Sequence, residues 1–124
     1  VQGEGADLAI VSFANGHYLS QQALPALTEA GIKTRLIDMR WLSPLPADAL
    51  IAATAGCKNV LIVDETRHSG GVAEALMALF AERSPARLAR LTAADSFIAT
   101  GPAYAVTMPS CEDIIVSAKA LVSK

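Results

Sequence analysis

The densest run of reactive side chains is Asp64 Glu65 Thr66 Arg67 His68 Ser69, followed directly by Gly70 and Gly71. It sets two carboxylates, a guanidinium, an imidazole and hydroxyl groups ahead of two glycines at the start of a helix. His68 is of the type that shuttles a proton near neutral pH. Gly70 and Gly71 let the backbone approach a neighbour closely and leave N–H groups at a positive helix end, which suits an anion. The plainer reading is that Glu65 and Arg67 make ion pairs that orient this loop against another chain. It is preferred over catalysis, because no nucleophile with its base can be placed.

A second distinctive stretch is Asp38 Met39 Arg40 Trp41 Leu42 Ser43 Pro44 Leu45 Pro46. A strand end runs here into a loop stiffened by prolines, and Arg40 and Trp41 are residue types that anchor interfaces. Trp41 filling a local gap is an equal alternative. Asn15 Gly16 His17 stands where a dinucleotide fingerprint would begin, but no GxGxxG is present, so His17 reads as a helix-start or interface residue. Cys57 and Cys111 form no CxxC pair and, with two His in the chain, match no zinc spacing. They read as buried or idle thiols. GxxxxGK[ST], GxSxG, HExxH and the EF-hand loop are also missing, so the sequence shows no complete active site.

These loops must be positioned by the elements around them. The apolar run Leu8 to Ala14 predicts a fully buried strand. Leu19, Ala23, Leu24, Leu27 and Ala30 recur at helical spacing, closing on Gly31, with Pro25 bending that helix or delaying its start. Thr34 to Met39 reads as a strand, Pro46 to Ala55 as a helix closing on Gly56, and Asn59 to Asp64 as a strand. Val72, Leu76, Leu79 and Phe80 mark the clearest helix, and Arg87 to Thr92 a shorter strand. Asp95 to Met108 is a long connection without periodicity. A final helix begins at Ser110, with Asp113 completing a capping box and Ile114 or Ile115, Ala118, Leu121 and Val122 facing inward. Strands alternating with helices mean right-handed βαβ units and a parallel sheet covered on both faces. In such a sheet, functional groups gather beyond the carboxyl ends of the strands.

The 124 residues suit a single domain spanning 1–124. The composition is 52% hydrophobic with a formal charge of -2, which excludes disorder and leaves no basic face for nucleic acid. No apolar run is long enough for a membrane span, and the first residues lack the pattern of a signal peptide, so a cytoplasmic protein is expected. The apolar excess points to a partner surface.

Taken in order, Ile37 to Leu45, Val60 to Val63 and Glu65 to Gly71 resemble the transketolase C-terminal domain. Asp95 Ser96 Phe97, Gly101 Pro102 Ala103 and Met108 Pro109 Ser110 match as well. The closer resemblance is to the last domain of the E1 β component of thiamine-diphosphate 2-oxo acid dehydrogenases. It implies a three-layer α/β/α domain with a five-stranded, mostly parallel sheet whose first strand is antiparallel, Val1 to Gly3 being its remnant. It further implies that thiamine diphosphate and Mg²⁺ are held by other domains through a GDG motif, which this sequence lacks, so the chain reads as a fragment inactive alone. Homo-oligomeric contacts, the remaining E1 domains or an α subunit, and the E2 lipoyl acyltransferase are the implied partners. Glu65, Arg67, His68, Gly70 and Gly71 carry over as one motif loop, and Arg40 and Pro44, with Trp41 beside them, as the other. After the paired glycines, where E1 β chains usually have a further glycine and then a glutamate, stand Ala73, Glu74 and Ala75, so no helix carboxylate is carried over. A transketolase or deoxyxylulose-phosphate synthase tail, and a free-standing module binding an anion at Gly70 and Gly71, are the alternatives.

Overall fold

A computed structural model describes residues 1–123. Its order is β1 (Leu8–Ser12), α1 (Ala14–Glu29), β2 (Thr34–Asp38), α2 (Ala47–Thr54), β3 (Asn59–Arg67), α3 (Val72–Arg83), β4 (Arg87–Ala93) and α4 (Cys111–Val122). A 3-10 helix, Gly101–Val106, lies within the long connection before α4. The four strands form one parallel sheet in the order β2-β1-β3-β4.

Strand alternation builds the layers. Ala9, Val11, Val60 and Ile62 point to the side covered by α2 and α3, where Leu50, Leu76 and Phe80 complete the core. Leu8, Ile10, Leu61 and Val63 point the other way, against Ala23 and Leu27 of α1 and Ile114, Ala118 and Leu121 of α4. Both central strands are apolar at successive positions because both faces are covered. The three-layer expectation therefore holds.

The strand count does not. Among the described residues there are four strands rather than five, and none is antiparallel. Where the first strand was expected, Gln2 makes a single antiparallel bridge to Leu36, with both N–H···O distances 2.8 Å. Gly3 follows at φ 78°, a left-handed conformation that ends extended pairing at once.

Three boundaries also differ. Helix α1 starts at Ala14, so Asn15, Gly16 and His17 form its first turn instead of a loop, and it runs through Pro25. Strand β3 continues past Asp64 to Arg67, carrying part of the reactive run in the sheet. The Asp95 to Met108 connection contains the 3-10 helix. Gly31 and Gly56 follow α1 and α2 at φ 75° and 79°, as helix-ending glycines should.

Candidate functional site

β1 leads leftward to β2 and its neighbour β3 leads rightward to β4, so their carboxyl ends flank the crevice where doubly wound sheets take ligands. Here that crevice is bridged. Asn15 Nδ2 donates to Glu65 Oε1 at 2.6 Å, and Gly16 is buried against Val63. A Cβ on Gly16 would stand 3.4 Å from the Val63 carbonyl oxygen, so α1 sits close on the sheet.

Next along the rim, Ser12, His17 and Asp38 line up in the composition of a hydrolytic relay. Ser12 Oγ lies 3.1 Å from His17 Nδ1, and His17 Nε2 lies 4.0 Å from Asp38 Oδ2. Ser12 is completely buried in the sheet, so no substrate carbonyl reaches its hydroxyl. Asp38 also holds Arg40 in a close ion pair whose guanidinium is largely in solvent, an exposed geometry of small energetic weight. Trp41 is 63% exposed and fills no gap in this chain. Pro44, behind a cis Ser43–Pro44 bond, is exposed beside it.

The head of α3 is organised by a residue outside the expected site set. Asp64 is wholly buried at the end of the regular part of β3, and its carboxylate accepts from the N–H of Thr66 and of Ala73, both at 2.8 Å. Gly71, the N-cap, offers no side chain, and Asp64 supplies the cap from across the loop. Gly71 is required by packing: a Cβ there would fall 2.5 Å from Thr66 Oγ1 and 2.8 Å from the Arg67 carbonyl oxygen. Gly70 adopts φ 70°. Part of the anion-binding capacity read from the two glycines is thus used by the chain's own carboxylate. An acidic residue closing an apolar strand ahead of a helix without its own capping side chain was the available signal.

His68 is clasped rather than free. Arg90 Nη2 donates to His68 Nε2 at 2.8 Å and Arg90 Nη1 to the His68 carbonyl oxygen at 3.0 Å. This leaves the Nδ1 proton to the Thr92 hydroxyl, 3.0 Å away. With its acceptor nitrogen filled, the ring holds the loop against β4. Ser69 reinforces this, donating from its amide and hydroxyl to Asp95 at 2.8 and 2.6 Å. The Ser69 hydroxyl and then its N–H keep the Asp95 carboxyl below the usual aspartate range. Burial pushes the Cys57 thiol up, and burial with Glu112 pushes Cys111 up, so both favour the unreactive protonated form.

Glu65, Arg67, Gly70 and Gly71 meet around an open cavity of about 520 Å³, walled also by Val72, Ala93 and Ile98. Arg40, Trp41 and Pro44 stand apart from it, at the end of β2. Among the described residues Arg67 makes no side-chain hydrogen bond or ion pair, and no cluster of His, Cys, Asp and Glu could hold a metal. Among the described residues no helix is long and apolar enough to cross a membrane. The most exposed apolar residues include Phe97 at 98% and Val106 at 86%, both within residues 94–106, which are exposed without a break.

The profile of the family "Transketolase, C-terminal domain" matches residues 1–114. The pyruvate dehydrogenase E1 component subunit beta of Staphylococcus epidermidis is 31% identical over 124 residues, covering 97% of this chain and 38% of that protein. The Bacillus subtilis subunit of the same name is 28% identical over 123 residues, with 96% and 38% covered. The chain therefore spans well under half the length of these curated relatives. Among solved structures, a split gene transketolase in an inactive beta4 tetramer superimposes with TM-score 0.85 at 21% identity, over 98% of this chain and 41% of that one. A 2-oxoglutarate:ferredoxin oxidoreductase from Magnetococcus marinus gives TM-score 0.68 at 21% identity, over 98% and 18%. At that identity the two structures bear on the fold alone.

Proposed function

The chain belongs to the transketolase C-terminal domain family, and from that premise we propose that it is the C-terminal subunit-contact module of a 2-oxo acid dehydrogenase E1 component. One observation carries this reading. Apart from the exposed Arg67, the charged and nucleophilic side chains at the carboxyl rim are tied to one another or buried, while large apolar groups on two rim loops, Trp41 and Phe97 foremost, are left in solvent. Exposed apolar surface with no completed catalytic set fits contact better than chemistry.

In the whole enzyme a 2-oxo acid loses its carboxylate as CO₂ and the acyl group passes to lipoamide. Thiamine diphosphate with Mg²⁺ supplies the carbanion chemistry when bound. The residues described here do not fit that group: the carboxylate nearest the helix head, Asp64, is engaged by two amides, and no metal-binding cluster exists among them. The cofactor belongs to other domains, and this module's part is to hold them in register through subunit contacts. The remaining E1 domains or an α subunit, further copies of the chain, and an E2 acyltransferase are its partners.

The test is thiamine-dependent reduction of ferricyanide by the full-length protein that carries this chain, with pyruvate and branched 2-oxo acids as donors. Turnover of a 2-oxo acid supports the reading. Turnover of ketose phosphates alone transfers it to the transketolase alternative. The anion-binding alternative is weakened by Asp64 capping α3 from within.

A further inference from the structure

We propose that His68 and Arg90 form a proton-operated latch at the rim, closed while the imidazole is neutral and opened when it takes a proton from solvent. The latch is made of contacts within one copy of the chain and stands apart from the contact-module reading.

The closed form admits a single protonation state. A guanidinium has donors and no acceptor, so Arg90 Nη2, 2.8 Å from His68 Nε2, requires a lone pair on that nitrogen. The one ring proton is then on Nδ1, which donates to the Thr92 hydroxyl at 3.0 Å. A second proton has no place except Nε2. There it turns the shortest contact of the clasp into two donors and two positive charges facing each other.

Of the two partners, the ring is the one that gives way. His68 is exposed, so a proton reaches it without rearrangement of the chain. The Arg90 side chain is only 21% exposed and is held twice more, its Nη1 donating to the His68 carbonyl oxygen at 3.0 Å and standing 3.8 Å from Glu74 Oε1 of α3.

The surrounding charges set the direction of the movement. Arg90 comes from β4, with Glu74 of α3 behind it, while Asp95 and Asp113 line the hollow that His68 shares with them. In the same run, Glu65 is bonded to Asn15, and Arg67 lines other hollows. An imidazolium is therefore repelled by β4 and attracted across the hollow. Asp113 is engaged by Ser110 at the head of α4, and Asp95 by the amide and hydroxyl of Ser69, the residue next to His68. A charged His68 competes with Ser69 for Asp95. Because Asp95 lies at the foot of the exposed segment 94–106, opening the latch loosens the motif loop and the base of that segment together.

Imidazole nitrogen NMR between about pH 8 and pH 5, the range in which histidine changes charge, tests the latch alongside hydrogen exchange at the Ser69 amide, corrected for its intrinsic pH dependence. The forms are wild type, His68→Gln, whose amide oxygen gives Arg90 an acceptor that does not titrate, and His17→Gln, which removes the only other histidine. At the upper end His68 of the wild type should carry its proton on Nδ1 alone. As the ring takes its second proton, protection at Ser69 should fall about tenfold. His17→Gln should repeat this fall, and His68→Gln should keep its protection throughout, with circular dichroism checking its fold. A proton on Nε2 at the upper end overturns the latch, and so does Ser69 protection that ignores the ring's titration. A fall that survives in His68→Gln or vanishes in His17→Gln overturns it as well. The wild-type ring spectrum decides by itself should His68→Gln fail to fold.

Discussion

All five residues of β1 are buried, while residues 94–106 are exposed without a break, although both contain large apolar side chains. β1 lies between two parallel neighbours and two helical layers, so its N–H and C=O groups and both its faces are satisfied within the chain. The segment before α4 has anchored ends and an unanchored middle. The difference separates two uses of hydrophobicity: in β1 it makes the domain, and at the rim it is surface held in reserve for another polypeptide. The part of the chain that is complete and the part that is not can each be probed.

The sharpest way to confirm that the sheet side is self-sufficient is to hollow it. Phe80, fully buried between α3 and the sheet, should cost about 3–5 kcal/mol when replaced by Ala, read as a lower midpoint in urea denaturation. At the junction of the two regions, Asp64→Ala leaves the Thr66 and Ala73 amides without their acceptor and should cost about 1–3 kcal/mol. Faster hydrogen exchange at Ala73 than in β1 is the local signature; equal protection at both would refute the capping role.

The capping box of α4 gives a smaller and pH-dependent effect. The Ser110 hydroxyl and N–H hold the Asp113 carboxyl below its usual value, so its contribution is present above the unfolded aspartate pKa. It fades as pH falls through the folded value. Ser110→Ala should therefore cost about 1 kcal/mol at neutral pH, and the gap from wild type should narrow in acid, as thermal melts at a series of pH values would show. Smaller again is Ala14, whose φ of 48° is left-handed and disfavoured for a residue with a Cβ. Ala14→Gly should raise stability by under about 1 kcal/mol. Least of all, Phe97→Ser should leave monomer stability within about 0.5 kcal/mol while weakening self-association. A large loss of stability there would erase the contrast between rim and sheet.

The layers were legible because they depend on local pattern. The apolar run of β1, the helical spacing of Leu76 and Phe80 and the Ser110–Asp113 box each appear where their residues predict them. The start of α1 was not legible: its N-cap, Phe13, makes no side-chain bond, so no capping signal exists to read. The missing antiparallel strand was expected from resemblance and is stopped by the left-handed Gly3. At the site, Glu65, Arg67, Gly70 and Gly71, close in sequence, line one cavity. The sequence could not show Asp64 capping α3 or Arg90 closing on His68, because both depend on which distant backbone a side chain meets.

The irregularity near the end of β3 has a consequence for how the rim can vary. Asp64 pairs with Thr92 and Arg67 with the very next residue, Ala93, so Glu65 and Thr66 are slack in the ladder. Slack of this kind uncouples length from alignment. Thr66 stays fixed by the Asp64 carboxylate, but the side chain at Glu65 can be exchanged while Val60 to Val63 keep their neighbours, so descendants of such a domain are free to change whom they adhere to without re-learning how to fold.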